Sequence, residues 1–291
     1  MSHVSTEIMS QPAAWRRAVE LAPSLAGALP VAGERVAVIG CGTSWFMAEA
    51  YAALREEAGQ GETDFFTATQ FPDRRRYDRV LAISRSGTTT EILDVLAGLD
   101  CAATAITADG STPILDAVDQ AVVLDFADEQ SVVQTRFATT ALMLLRASLG
   151  QPVQAVIEQA EQVLAARPDT SLDRCEQYTF LGQGWVHGIA REAALKMREA
   201  AQLWTESYPQ MEYRHGPIAI AEPGRAVWIF GTPVPGLLDD IAATGAGVHN
   251  TELDPVADLI SAQLLAVRAA EARGLDPDRP RHLTRSVILA G

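Results

Sequence analysis

The chain has no apolar run approaching the roughly 18–20 residues that a membrane-spanning helix needs, so a spanning segment is not expected. Cysteine is scarce. Cys41, Cys101 and Cys175 are far apart, odd in number and in no metal-ligand spacing. A disulfide framework and a cysteine metal site are both excluded, and a reduced, cytoplasmic setting is expected. Positive charge is short: 23 Lys and Arg against 37 Asp and Glu give a net charge of −14, which disfavours nucleic acid or anionic membrane as a partner. Residues 1–11 lack the basic-then-apolar layout of a signal peptide. Two nucleotide signatures are missing as well. Gly40-Cys41-Gly42-Thr43-Ser44-Trp45 has no third glycine, and no G-x-x-x-x-G-K-[ST] segment occurs anywhere. Cys41 sits in that glycine-rich turn and reads as a small residue fitting a tight bend rather than as a nucleophile.

The composition that remains is ordinary for a globular protein, with 48% hydrophobic and 21% charged residues in 291. An internal echo organises it. Val36-Ala37-Val38-Ile39-Gly40-Cys41-Gly42 is an apolar strand ending in Gly-x-Gly, and Tyr178-Thr179-Phe180-Leu181-Gly182-Gln183-Gly184 repeats that layout (182 − 40 = 142 positions on). Each is followed by a helical stretch, 45–58 and 186–203, and then by another strand, 79–84 and 225–231. Strands alternating with helices predict an α/β fold with parallel sheets covered on both faces. Two copies of a doubly wound unit are expected, over 20–150 and 151–291, after an N-terminal segment 1–19. Helices predicted at 132–149 and 153–166 flank the boundary near Gly150-Gln151-Pro152. The proline-rich stretch 274–283 reads as an extended strap.

The chemistry begins at Val80-Leu81-Ala82-Ile83-Ser84-Arg85-Ser86-Gly87-Thr88-Thr89-Thr90-Glu91. A buried strand runs into hydroxyl residues around one glycine, and helical spacing resumes over 91–99. Thr43 and Ser44 occupy the corresponding turn after the first strand. In a parallel sheet both turns lie at the carboxyl edge, where ligands bind, and helix starts offer free N–H groups. Helix capping alone also uses such residues. Two clusters at one edge instead predict a phosphate cradle of neutral donors, hence a phosphorylated small molecule as ligand.

In the second half, Ala190 to Glu199 is strongly helix-forming, and Glu192, Lys196 and Glu199 share one face at i, i+4 and i+7. A carboxylate beside a lysine stays ionised, as a general base must, although on spacing alone a solvated charged face is the simpler reading. Glu212-Tyr213-Arg214-His215-Gly216-Pro217 puts an imidazole on a rigid turn; one loop histidine among five carries little by itself.

Taken together these segments resemble the sugar isomerase (SIS) domain family, and most of all the double-SIS isomerase half of glucosamine-6-phosphate synthase and its stand-alone relatives. Glu7-Ile8-Met9-Ser10-Gln11-Pro12 is similar to the family's E-I-x-x-Q-P opening, Gly40 to Ser44 to its C-G-T-S turn, and Ser84 to Thr89 to S-x-S-G-x-T. Glu129 to Arg136 is similar to the segment that closes over the sugar, and Arg214-His215-Gly216-Pro217 to the K-H-G-P turn. The resemblance implies two flavodoxin-like SIS subdomains. It implies that Ser44, Ser84, Ser86 and Thr89 hold a sugar phosphate, joined by Arg85, which stands where the synthase has glutamine and would be the single positive charge at the turn. Thr43, Val132 and the strap residues Thr284 and Arg285 would lie against the sugar. Glu199 would be the base, Lys196 would orient it, and His215 would assist ring opening from the neighbouring subunit of a homodimer. No cofactor or metal is implied.

Two departures stand out. A glutaminase domain is absent, so ammonia from glutamine is not expected. Arg285 occupies the place of the synthase's imine-forming lysine, and an arginine does not lose the proton that imine formation requires. The implied chemistry is removal of the C2 proton of an open-chain hexosamine 6-phosphate, free or N-acetylated. Return of the proton at C1 gives an isomerase or deaminase, and loss of the C3 hydroxyl gives a dehydratase. A non-catalytic sugar-phosphate sensor is the alternative from another class, and the presence of Glu199 and His215 weighs against it.

Overall fold

The structure, a computed structural model, describes residues 2–289. Two helices, α1 (His3–Met9) and α2 (Gln11–Leu21), precede the first sheet. β1 (Val36–Gly40), α3 (Thr43–Glu57), β2 (Thr63–Thr67), β3 (Arg79–Ile83), α4 (Thr90–Ala97), β4 (Ala102–Thr107) and β5 (Gln120–Val123) build the first unit. α5 (Arg136–Ser148) and α6 (Gln154–Ala165) lead into the second, made of β6 (Gln177–Gly182), α7 (Val186–Ala201), β7 (Trp204–Pro209), β8 (Arg225–Ile229), α8 (Leu237–Ala242), β9 (Gly247–Asn250) and α9 (Pro255–Ala272). Both sheets are wholly parallel, in the orders β2-β1-β3-β4-β5 and β7-β6-β8-β9. These are two copies of one doubly wound order, the second a strand shorter, as the internal echo predicts. The order reverses beside β1 and β3, so the turns after those two strands flank the crevice where such sheets bind ligands.

The repeat has a physical cause. A Cβ on Gly40 would lie 2.6 Å from the Ser44 backbone carbon, and Gly182 is pressed against Val186 in the same way. The second glycines, Gly42 and Gly184, have φ of 56° and 58°, a conformation costly to side chains. Each strand thus turns directly into its helix.

All five residues of β1 are buried, because helices cover both faces. Val36 and Val38 face a core shared by both units, built from α2, α3, α5, α6, α7 and α9. Ala37 and Ile39 face the outer layer with Ile92 and Leu96 of α4. The helices α3 and α7 pack closely, with Gly188 against the Phe46 carbonyl.

The predicted helix at 132–149 begins four residues later, at Arg136. The Glu129 carboxylate accepts from the N–H groups of Thr135 (2.6 Å), Arg136 (2.7 Å) and Phe137 (3.2 Å). It caps the helix from outside, and residues 128–135, including Val132, form the loop that carries this cap. Glu7 holds the same loop from α1, taking the N–H of Gln130 at 2.6 Å and the Ser131 hydroxyl. The stretch 274–289 forms no helix or strand. It returns across the first unit, where the Asp278 carboxylate accepts from the N–H groups of His3 and Val4 at 2.8 and 2.7 Å.

Candidate functional site

The first α3 residues are Thr43 and Ser44, both buried. The turn after β3 carries Ser84, Ser86, Thr88 and Thr89, with Thr90 opening α4. The hydroxyl residues of both turns therefore cluster at helix starts on one sheet edge, where N–H dipoles favour an anion. Arg85 is not among them. Its side chain is 1% exposed and donates to the carbonyls of Ser131 and Arg285, both at 3.0 Å, with Glu129 at 4.0 Å. The expectation of a cation in the cradle is corrected: the guanidinium ties the 128–135 loop and the strap to the sheet. Burial pushes the Glu129 carboxyl above its ordinary value, opposed by Arg85.

α7 runs back from the carboxyl edge of the second sheet and lies against α3. Its C-terminal half reaches the start of α3, and the Lys196 ammonium donates to Thr43 Oγ1 at 2.9 Å. The same ammonium donates to Glu199 Oε2 at 2.5 Å and lies 3.5 Å from Glu192 Oε1. Lys196 is the only lysine in the chain and is 1% exposed. Burial by itself would lower its pKa, but Glu192 and Glu199 outweigh that and hold it above the ordinary lysine value. It is a fixed cation. Glu192 is buried as deeply, and burial pushes its carboxyl up to about 8 against the opposing pull of Lys196. Neither of its oxygens has a hydrogen-bond partner among the described residues. Residue spacing placed Glu192 on this face without giving it a role. The isolation of one lysine between two glutamates at helical spacing is the sequence signal that marks the trio.

Glu199 is the member of the trio that reaches open space. It lines a cavity of about 310 Å³ with Arg198, Gln202 and the strap residues Arg281, His282 and Leu283. The two non-glycine residues with positive φ among the described residues, Gln202 (55°) and His282 (63°), both line this cavity. Such strain is tolerated where a site requires it.

The remaining expected residues divide. Val132 lies in the capped loop and donates its N–H to the Asp278 carbonyl at 3.4 Å. Arg285 pairs with Asp128 at 2.5 Å and with the Glu129 carbonyl, so its charge closes the strap onto the loop. Thr284 Oγ1 donates to the Ser286 carbonyl at 2.8 Å. His215 is exposed and follows β7 at the carboxyl edge of the second sheet. Glu199 lies near the other end of the 16-residue α7, about 20 Å along the axis from the helix end at that edge. Within one chain the two are not brought together.

No family model matches the chain. In sequence it is 28% identical over 322 aligned positions to the glutamine–fructose-6-phosphate aminotransferase of Gloeobacter violaceus, with 88% of this chain and 52% of that protein covered. The same enzyme of Methanothermobacter thermautotrophicus is 26% identical, with 97% and 57% covered. The chain thus spans about half the length of these curated relatives. Among solved structures, glucosamine-6-phosphate deaminase from Thermotoga maritima superposes with a TM-score of 0.84 at 24% identity, over 99% of this chain and 100% of that one. The C-terminal domain of glucosamine-fructose-6-phosphate aminotransferase from Francisella tularensis gives 0.81 at 21% identity, over 96% and 98%. In sequence the chain is thus homologous to the isomerase (SIS) domain of glutamine–fructose-6-phosphate aminotransferase, and its two parallel-sheet units share the fold of those solved structures.

Proposed function

We propose that the protein binds a hexosamine 6-phosphate at the junction of its two units, residues 20–150 and 151–291, and that Glu199 moves the proton at C2 of the open-chain sugar. Ser44, Ser84, Ser86 and Thr89 hold the phosphate with neutral donors, which suits an anion on a protein of net charge −14. The observation that carries the reading is the Lys196 ammonium held between Thr43 and Glu199 at 2.9 and 2.5 Å. One cation fixes the base beside the turn expected to lie against the sugar. Ring opening exposes the C1 aldehyde that acidifies C2. That step is assigned to His215 of a second copy in a homodimer, since the fold separates it from Glu199 of its own chain. Protonation at C1 then gives the C2 imine of the corresponding ketose, the amino-sugar counterpart of aldose–ketose isomerisation. With a free amine, water adds to that imine and ammonia leaves, giving the ketose, as in a deaminase.

A second reading rests on a specific observation. The guanidinium of Arg285 is engaged by Asp128 and the Glu129 carbonyl, and the chain's one lysine is engaged by Glu199 and Thr43. Among the described residues no free amine stands at the site to form an imine with a ketose. The carbanion at C2 can instead expel the C3 hydroxyl: the C2–H pair forms the C2–C3 double bond, the C3–O bond breaks, and the leaving oxygen departs as water after protonation. This is dehydratase chemistry from the same base, and an N-acetylated amine, which cannot be hydrolysed from C2 as an imine, favours it.

Incubation with glucosamine 6-phosphate, its N-acetyl form and fructose 6-phosphate in deuterated water, followed by NMR, tests both. Deuterium at C1 of a ketose supports isomerisation, and a new vinyl signal supports elimination. Binding without exchange sinks the enzymatic reading in favour of a sensor. Glu199→Gln removes exchange and retains phosphosugar binding; surviving exchange means that the base is another group.

A further inference from the structure

The phosphate cradle is not made by the turns alone. The strap that lines the Glu199 cavity at 281–283 continues onto the hydroxyl turn after β3. There the Ser286 hydroxyl oxygen lies 3.0 Å from Thr88 Oγ1, 3.2 Å from Ser86 Oγ and 3.4 Å from Thr89 Oγ1. Among residues 281–289 Ser286 is the one that is half-buried rather than exposed. Its neighbours pin it in place. The Thr90 N–H donates to the Val287 carbonyl at 3.2 Å, the Leu289 N–H to Thr90 Oγ1 at 3.0 Å, and Arg85 to the Arg285 carbonyl at 3.0 Å.

Four hydroxyl oxygens from segments about 200 residues apart thus meet at the start of α4. Ser86 and Thr88 donate to Ser286, so the Ser286 hydrogen is left for a further acceptor, with Thr89 in its way only at 3.4 Å. A phosphate dianion accepts several such donors at once, and a hydrogen bond to a charged group is worth more than one between hydroxyls. We propose that Ser286 is a phosphate-binding hydroxyl, and that a phosphate monoester bridges it to Ser86 and Thr89, fastening the strap over the Glu199 cavity. The proposal rests on the reading of this turn as a phosphate site. Its consequence is a specificity device: a phosphorylated sugar holds the strap down across the base, and the same sugar without phosphate leaves it loose. Ser286 is a binding and positioning residue, separate from the base.

The strap carries its own reporters. Trypsin cleaves after arginine, and the Arg281–His282 and Arg285–Ser286 bonds lie in it. The full chain is digested lightly with and without inorganic phosphate, glucosamine and glucosamine 6-phosphate, and the two cleavages are followed by mass spectrometry. Wild type is expected to be protected by phosphate and by glucosamine 6-phosphate and not by glucosamine. Ser286→Ala is expected to bind glucosamine 6-phosphate about ten-fold or more weakly, for one lost charge-assisted hydrogen bond. It is also expected to lose strap protection at saturating ligand, and Ser286→Thr restores both. Equal affinity and equal protection in Ser286→Ala overturn the proposal and leave the phosphate reading standing, as does tighter binding, which would make Ser286 a competitor for the cradle. If wild type binds neither phosphate nor the phosphosugar by calorimetry, the reading of the site itself fails, and this proposal with it.

Discussion

Replacing Lys196 by methionine tests the charge logic of the site with little change in packing, since the two side chains have similar length and Lys196 is fully enclosed. The substitution leaves Glu199 without its 2.5 Å partner and Glu192 without its one close cation. Well below pH 8 Glu192 is mostly protonated, because burial raises its pKa to about 8. The loss there is the charge-assisted bond to Glu199, about 1.5–3 kcal/mol. The sign at higher pH follows from linkage. The folded pKa of Glu192 lies above its ordinary value, so the folded protein binds the extra proton and loses stability as pH rises towards 8. In wild type that loss ends near pH 8, where Glu192 ionises beside Lys196. In the variant no cation compensates, the carboxyl stays protonated to higher pH, and the decline continues. The stability gap should therefore widen by about 1.4 kcal/mol per pH unit above 8. At pH 9 it reaches about 3–4.5 kcal/mol, within the range for breaking a buried ion pair. The Lys196 contribution itself is present below its unfolded pKa, so it adds no slope in this window. Urea unfolding followed by circular dichroism at pH 6, 7, 8 and 9 measures the gap. A gap that is flat from pH 7 to 9 refutes the assignment of a buried, neutral Glu192. So does a slope that persists when Glu192→Gln is combined with Lys196→Met.

Three further outcomes are expected. Mixing Glu199→Gln with His215→Ala, each inactive alone, restores about a quarter of wild-type sites if a two-fold dimer shares its sites; no recovery after subunit exchange removes the homodimer proposal. Gln202→Gly relieves the positive φ at the end of α7 and raises stability by roughly 0.5–1 kcal/mol, read from the urea midpoint, and a destabilised variant means that the Gln202 side chain has a role of its own. Glu7→Ala frees the N–H groups of Gln130 and Ser131 and the Ser131 hydroxyl. It costs about 1–3 kcal/mol and speeds amide exchange at Gln130 and Ser131, whereas unchanged exchange there means that Glu129, Arg85 and Arg285 hold the 128–135 loop without it.

Much of this was legible in the chain because it is local. The strands ending in Gly40 and Gly182 carry continuous apolar runs and glycines that only a strand turning at once into a helix requires, and both sheets have the parallel order those repeats predict. The hydroxyls of Thr43, Ser44 and the turn after β3 were placed at helix starts by the same local rules. The start of α5 was not legible. The apolar run from Val132 continues the helical pattern, and the stop comes from a carboxylate, Glu129, folding back on the N–H groups of residues 135–137. Arg85 misled for a related reason: its neighbours in sequence face the cradle, while its own side chain is drawn inward to backbone carbonyls and Glu129.

The sequence by itself determined the doubled α/β plan, the hydroxyl-rich turn after β3 and the helical face that holds Glu192, Lys196 and Glu199, since each depends on residues within a turn or a strand of one another. Only the tertiary structure decided what those pieces do together. Lys196 meets Thr43 across 153 positions because α7 packs back along α3. The same packing sends His215 to the far edge, and the strap brings Ser286 onto a turn 200 residues away. Contacts at that range are set by the close-packed core between the two sheets, which fixes the relative placement of α3 and α7 and leaves no periodicity along the chain to announce it.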